Sequence, residues 1–483
     1  MRNYFLTICF LFASFLVYGQ AGHIMQGVGA VNMSMGGAAT AQPLSTEGAL
    51  QWNPATLSAF DGQIFSISVG AFFSSPELSS SLPAGAMGPG SPAVSGLTED
   101  DRGTSIMPSM SFVWGKEDSK HTFGVSAFGI SGFGVTFNEE TNLPVDGEGN
   151  PNPNWDPNNS NPINYPQAFG GFGHIESDYM LLQVGLAYSY EITEKFSIGI
   201  QPTFNYAALE LAPNPVASPD FPPPFGEGRG YPVADKASAI GYGGQVGIFY
   251  DSGGVLKLGA SYKSKQYFGE FDFDQKYVDG SEAPNVQFTM NYPAIYSVGM
   301  GLTGGKFDFA LDFRYVDYEN TEGFQEIGWQ MMEMETEGGP MTFPTGAVNG
   351  FGWKSMSILS LGLQYQATEK LPIRIGYTYS SNPIKDELAF FSIPATAVIE
   401  NAAQIGMGYT INEKMELNAV YHYGFRGDGA SGNLLNPQLI TPDNPLGKVP
   451  GSSVSYDMST SMFQLNFVYK FGMGSVKTTE TID

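Results

Sequence analysis

The sequence predicts an all-β protein: a transmembrane antiparallel β-barrel of about fourteen strands, with an N-terminal hatch inside its lumen. Three observations predict it: an export signal, a composition poor in charge, and long stretches in which apolar and polar residues alternate. Charged residues make up 14% of the chain and aromatic residues another 14%, whereas about a quarter of a soluble protein is charged. No later segment has the run of about 18 apolar residues that a transmembrane helix needs.

Residues 1–19 are predicted to be a secretory signal peptide. Arg2 supplies a short positive start, residues 4–17 form an apolar core, and Gly19 precedes the expected cleavage point. The apolar core is shorter than the roughly 20 residues of a spanning helix, which disfavours a membrane anchor. Cys9, the only cysteine, lies in this segment. The mature chain is therefore expected to have no disulfide, no thiol nucleophile and no cysteine-based metal site.

Charge and histidine placement exclude several classes of function. The net charge of −25 argues against a nucleic-acid partner, because phosphate binding needs a basic face. His23, His121, His174 and His422 lie in separate segments, without a serine or an acid at a recognisable catalytic spacing. We therefore predict no catalytic residue, no metal site and no cofactor. An outer-membrane lipase is the weaker alternative, since His422 faces inward by parity.

Residues 62–471 are predicted to form the barrel. Alternation is clearest near the end of the chain, and it recurs over residues 307–315, 373–379 and 415–425. One face of the last stretch consists of Phe463, Leu465, Phe467, Tyr469 and Phe471. Such a face suits lipid, while the polar face suits a lumen. The stretches run to about 9–13 residues, longer than the strands of a soluble sandwich or propeller, which is the weaker alternative.

Short turns and long loops also alternate along the chain, as in a barrel with short periplasmic turns and long extracellular loops. The predicted turns lie at residues 117–118, 193–194, 252–253, 304–305, 368–369 and 412–413. The predicted loops cover residues 74–103, 138–177, 212–236, 320–353 and 427–456. Residues 472–483 follow the last aromatic residue and are predicted to be a frayed tail, with a periplasmic contact as the alternative.

Residues 20–61 show neither strand nor helix periodicity and are predicted to fold into the lumen as the hatch. Small residues dominate there and allow close backbone packing. The order of a glycine-rich start, the run Gly36-Gly37-Ala38 and then Asn53-Pro54-Ala55 resembles the hatch of the FadL family. Residues 123–135 resemble the third strand of that family. Residues 374–383, followed by Ile393-Pro394, resemble its eleventh strand and the next loop.

The resemblance spans nearly the whole mature chain and implies a fourteen-stranded barrel in the outer membrane of a Gram-negative bacterium. It implies passive uptake of long-chain fatty acids or other hydrophobic small molecules, such as hydrocarbons, by a monomer in contact with outer-membrane lipid. One departure concerns the hatch. Family hatches often carry several acids before Asn-Pro-Ala, whereas this chain has only Glu47 there, so an ion pair that locks the hatch is in doubt.

Gating residues are also implied by the resemblance. A shift of the hatch and an inward kink of the third strand would let the ligand leave sideways into the bilayer. The hatch residues concerned are Gly48, Asn53, Pro54 and Ala55. The kink residues are Gly129, Gly132 and Gly134, because glycine weakens strand pairing and admits bulges. The alternative is that these are ordinary glycines of the barrel wall, which face bulky neighbouring side chains.

Two arginines are candidate anchors for a ligand carboxylate. Arg314 and Arg374 face the lumen by parity, with Asp312 and Glu416 as counter-charges, and a guanidinium can hold a carboxylate through two hydrogen bonds. The favoured alternative is an ion-pair network that only stiffens the barrel. Two other functions stay open: a polar-solute porin with an open, charged lumen, and a structural or adhesive barrel.

Overall fold

The computed structural model describes residues 22–115, 119–146, 148–223, 226–336 and 339–471. Fourteen antiparallel strands close into a barrel, and the first strand pairs with the last from Gln63↔Phe471 to Ser81↔Ser453. Closure leaves the sheet without a terminal edge strand in lipid, where each unsatisfied backbone group would cost several kcal/mol. The predicted fold class is therefore confirmed. The predicted signal peptide, the tail and the turn at residues 117–118 lie outside the described residues.

Each barrel strand is hydrogen-bonded to its neighbours in chain order. The strands are β1 (Gln63–Leu82), β2 (Thr104–Gly115), β3 (His121–Phe137), β4 (Ile175–Thr193), β5 (Phe196–Ala212), β6 (Val233–Asp251), β7 (Leu256–Lys263), β8 (Ala294–Gly304), β9 (Phe307–Asp317), β10 (Met356–Thr368), β11 (Leu371–Ser380), β12 (Asn401–Asn412), β13 (Met415–Gly424) and β14 (Ser453–Phe471). The segments that resemble a third and an eleventh strand are β3 and β11.

Side chains alternate between the lipid face and the lumen as predicted. In β14, Phe463 and Leu465 are 49% and 50% exposed, whereas Gln464 and Asn466 between and beside them are each 2% exposed. The outer face is therefore apolar and the inner face carries polar side chains that need partners inside the barrel. Those partners come largely from the hatch.

The loops at the extracellular end carry further short strands, and β1 is longer than predicted. It continues to Leu82, because its serine-rich end pairs with both β14 and the loop strand Val94–Glu99. The other loop strands are Tyr267–Phe268, Phe271–Phe273, Gln275–Lys276, Val286–Phe288, Trp329–Thr336, Gly339–Val348 and Ala430–Gly432. Short 3-10 helices lie at Pro162–Asn164, Gln167–Phe169, Asp386–Ala395 and Pro437–Leu439. No helix in the described part of the chain is long and apolar enough to cross a membrane.

The hatch crosses the lumen as two short helices and a 3-10 turn. Helix α1 (Ala30–Ser34) contacts β11 to β14, helix α2 (Thr46–Trp52) contacts β1 to β3, and the turn Pro54–Ala59 contacts β3 to β6. The hydroxyl of Ser45 caps α2 by accepting a hydrogen bond from the amide of Gly48, at 3.2 Å. Nearly all side chains of residues 22–60 are buried, so the hatch fills this level of the barrel.

Candidate functional site

A cavity of about 540 Å³ lies between the start of the hatch and the barrel wall at β3. Hatch residues His23, Ile24 and Met25 line it, together with β2, β3 and β4, and Thr396 and Ala397 line it from the loop after β11. The hatch and an extracellular loop therefore both face the same space.

The cavity reaches the outer surface of the barrel through a side gap. Strands β2 and β3 pair only between Ser109↔Phe128 and Gly115↔Thr122, and residues 104–108 of β2 line the cavity instead of pairing with β3. Ile106 and Met180, which are 62% and 47% exposed on the lipid side, also line the cavity. The cavity therefore extends to the side of the barrel at which β2 and β3 separate.

A bulge in β3 lies next to the gap. The register between β3 and β4 shifts between Gly129 and Ser131, so Ile130 has no residue opposite it in β4. The start of the hatch pairs with β3 here in place of β2. The amide of Met25 donates to the Ile130 carbonyl at 3.0 Å, and the amide of Gly132 donates to the His23 carbonyl at 3.2 Å. These contacts join the hatch to the bulge.

The three predicted kink glycines lie at and beyond this bulge, but their surroundings differ. A Cβ atom on Gly134 would lie 2.5 Å from the carbonyl oxygen of Ser177, and one on Gly132 would lie 3.0 Å from the carbonyl oxygen of Tyr179. A Cβ atom on Gly129 would have its nearest neighbour at 3.8 Å. At position 134 there is therefore no room for a larger residue, and at position 132 there is little. At position 129 no neighbouring atom excludes a side chain.

Charged side chains form the polar rim of the cavity. Arg102 crosses Gly134 and forms an ion pair with Asp178, and Nζ of Lys236 lies 2.6 Å from Asp178 and 3.3 Å from Glu210. Among the described residues that line the cavity, Arg102 and Lys236 are the only lysine or arginine side chains. Because carboxylates already neutralise both cations, the rim offers no free positive charge.

An aromatic cage, formed by rings that surround the imidazole of His23, occupies the wall beside the cavity. Phe324 stacks on the imidazole with centroids 5.0 Å apart, and the hydroxyl of Tyr318 lies 2.9 Å from its Nδ1. The cage consists of Phe133, Tyr179, Tyr292, Tyr318, Phe324 and Trp353. Burial lowers the pKa of His23 to about 3, so its ring is neutral at pH 7. No pattern in the sequence predicts that these six rings lie together.

The predicted hatch motif anchors the hatch to the wall. The side-chain amide of Asn53 donates to the carbonyls of Thr40 at 2.8 Å and Ile248 at 2.9 Å, and its oxygen accepts from the amide of Ala55 at 3.0 Å. Pro54 begins the 3-10 turn, where a missing amide hydrogen costs nothing. A Cβ atom on Gly48 would lie 3.0 Å from Cβ of Ala39, so glycine permits close packing within the hatch.

Arg314 holds the hatch and does not line the cavity. Its Nη2 donates to Oδ2 of Asp312 and to the carbonyl of Gly37, both at 2.6 Å, and its guanidinium lies 3.7 Å from the Trp52 ring centroid. Asp312 Oδ2 also accepts from the Ala39 amide, the Thr40 amide and the Thr40 hydroxyl, at 2.9, 2.8 and 2.7 Å. One buried ion pair thus binds five groups of the hatch.

Arg374 and Glu47 also make contacts that the sequence did not reveal. Arg374 donates to Oε1 of Gln364 at 2.6 Å and to Oδ1 of Asn418 at 2.9 Å, so it too is engaged away from the cavity. Glu47, the one acid that precedes Asn53 in the hatch, accepts hydrogen bonds from Ser66 and from the amide of Asn466 across the β1–β14 seam. Its partners are neutral, and the ion pair that fixes the hatch belongs to the wall. Within the described ranges, no group of three or more His, Cys, Asp or Glu side chains is arranged to hold a metal ion.

Comparisons with known proteins agree with this architecture. A family model described as "Outer membrane protein transport protein (OMPP1/FadL/TodX)" matches residues 165–471. The P. putida toluene transporter TodX is 16% identical, with a TM-score of 0.62 over 92% of this chain and 99% of that chain. A Pseudomonas aeruginosa FadL homologue is 14% identical, with a TM-score of 0.63 over 94% and 100%. The Ralstonia pickettii toluene transporter TbuX is 16% identical, with a TM-score of 0.56 over 92% and 99%. No curated protein sequence matches the chain.

Proposed function

The chain belongs to the FadL/TodX family of outer-membrane transport proteins, and we propose that it carries hydrophobic small molecules passively into the outer membrane, with exit through the side gap at β3. The observation that carries the proposal is the cavity of about 540 Å³ that connects the hatch with this gap. A polar-solute porin would need an open lumen, whereas the hatch fills this one.

The ligand enters from the extracellular side through an apolar crevice. This crevice, of about 40 Å³, is lined by aromatic and proline side chains that include Phe390 and Phe391. Ile393 and Pro394 line the crevice, while Thr396 and Ala397 line the main cavity, so this one segment separates the two spaces. A small displacement of the segment joins them.

The start of the hatch acts as the gate. His23 fills the aromatic cage, and residues 23–25 occupy the cavity edge and pair with the bulge of β3. An entering apolar molecule takes over the ring contacts of His23 and displaces these first residues. The rest of the hatch, held by Asn53 and by the Asp312–Arg314 pair, keeps its place. The ligand then leaves through the gap into lipid.

Electrostatics favour an uncharged ligand over a fatty-acid carboxylate. The cavity is lined by two cations, Arg102 and Lys236, against three carboxylates, those of Glu176, Asp178 and Glu210. A carboxylate that enters would lose water without gaining a free cation, which is costly in a confined site. The relatives TodX and TbuX are described as toluene transporters. We therefore propose monoaromatic hydrocarbons as the preferred ligands and long-chain fatty acids as the poorer ones.

Uptake assays on cells with and without the protein test the function. Radiolabelled toluene and radiolabelled palmitate are supplied separately, and the amount of folded barrel in the outer membrane is measured alongside. We expect toluene uptake to rise several-fold with the protein and palmitate uptake to rise much less. Preference for palmitate would contradict the assignment of uncharged ligands. No protein-dependent uptake of either compound by cells with a folded barrel would contradict the transport function.

A further inference from the structure

A methionine-rich hairpin stands apart from the barrel in the loop between β9 and β10. Its strands Trp329–Thr336 and Gly339–Val348 form a separate two-stranded sheet. The base is fixed, since Nε1 of Trp329 donates to the carbonyl of Leu446 at 3.0 Å. Residues 331–335 and 340–343, farther from the base, are exposed.

Three thioethers share one face of this hairpin. Met334 lies directly opposite Met341, and Met332 lies directly opposite Phe343. Because side chains alternate along a strand and cross-strand partners share a face, these four side chains form one patch. Met332, Met334 and Met341 are 49%, 47% and 51% exposed. Met331, at 49% exposure, points to the opposite face.

We propose that Met332, Met334 and Met341 form a site for a soft monovalent cation, Cu(I) or Ag(I). Thioether sulfur is a soft ligand that selects such ions. Cβ atoms of directly opposite residues lie about 4.5–5.5 Å apart. Residues two apart on one strand are separated by about 6.6 Å. Three rotatable bonds in each side chain let the sulfurs converge on one ion within these spacings.

The surroundings favour a cation at this position. Glu333 and Glu335 alternate with Met332 and Met334 and project from the opposite face of the same strand, and the chain as a whole has a net charge of −25. A negative field of this kind raises the local concentration of cations. The ring of Phe343 beside the thioethers adds an aromatic face that attracts positive charge. This site is independent of the transport route, because none of its residues lines the cavity or the side gap.

Titration of the purified full-length protein with Ag(I) tests the proposal. Silver is the probe because it binds as Cu(I) does and is not oxidised in air. The triple variant Met332→Leu/Met334→Leu/Met341→Leu keeps the apolar volume and removes the sulfurs. Met331→Leu is the matched control, since it removes an equally exposed thioether from the other face. Calorimetry is expected to show one tight Ag(I) equivalent that the triple variant loses and the control keeps.

Oxidation by hydrogen peroxide, followed by mass spectrometry, gives a second readout. Bound Ag(I) should protect Met332, Met334 and Met341 from sulfoxide formation and leave Met331 unprotected. Equal Ag(I) binding by wild type and the triple variant would overturn the proposal, because the three sulfurs would then not be the ligands. Equal loss in the triple variant and the control, or equal protection of all four methionines, would also overturn it.

Discussion

Replacement of Asp312 with alanine is expected to release the hatch and open an aqueous leak through the barrel. The variant leaves the guanidinium of Arg314 and three donors of Ala39 and Thr40 without their shared acceptor. Breaking a buried ion pair by removing one partner typically costs about 3–5 kcal/mol. Since that loss falls on the contact between hatch and wall, the hatch should bind the wall less tightly, while the strands of the barrel stay paired.

The leak is measured as ion conductance of the purified protein in planar bilayers and as sensitivity of cells to a bulky hydrophilic antibiotic. Asp317→Ala is the control, because Asp317 lies on the same strand and its side chain accepts hydrogen bonds from the loop residues Asn320 and Ser355. We expect Asp312→Ala to show conductance steps and antibiotic sensitivity that wild type and the control lack. If the Asp312→Ala variant shows neither conductance steps nor antibiotic sensitivity, the ion pair does not hold the hatch.

Deletion of Ile130 is expected to close the side gap and abolish uptake of hydrophobic compounds. Gly129 pairs with Leu182 and Ser131 pairs with Leu181, so removing the bulged residue leaves one continuous register between β3 and β4. A straight β3 can then pair with β2 above Ser109, where the two strands now diverge. The exit closes, although the hatch contacts made by Asn53 and by the Asp312–Arg314 pair are unchanged.

Toluene uptake by the deletion variant should fall to the level of cells without the protein, with normal amounts of folded barrel in the outer membrane. Gly129→Ala is the matched control, since a Cβ atom there meets its nearest neighbour at 3.8 Å and leaves the bulge intact. The control should transport like wild type. Undiminished uptake by the deletion variant would place the exit elsewhere in the barrel.

The alternation of apolar and polar residues predicted the barrel, because each strand of a closed membrane sheet has lipid on one face and the lumen on the other. This pattern is local and can be recognised within a single strand. The pattern in β14 is visible in aromatic or aliphatic residues at five alternate positions, 463, 465, 467, 469 and 471. The hatch was harder to predict, since its fold depends on contacts with the wall. Its presence followed from the absence of periodicity together with the Asn53-Pro54-Ala55 motif, and the bounds of the hatch stay a prediction.

The site itself was only partly predictable. Parity correctly placed the side chains of Arg314 and Arg374 in the lumen. Their hydrogen-bond partners are distant in sequence, such as Gly37 and Asn418, so the sequence of either strand could not predict these hydrogen bonds. The glycines of β3 marked the region of the gap through family resemblance alone. The bulge at Ile130 has no local signature, and the cage around His23 forms only when two strands and two loops converge on the hatch.

The central claim is that the ligand leaves sideways past a hatch whose body does not move. A disulfide between Thr46→Cys in α2 and Ser111→Cys in β2 tests it most directly. The two hydroxyls lie 2.8 Å apart, so these side chains are in direct contact, and Cys9 in the predicted signal peptide is the only native cysteine. We predict that the oxidised variant keeps most of its toluene uptake, with little change on reduction. Loss of uptake on oxidation and its return with reductant would contradict the claim and indicate an exit through the hatch.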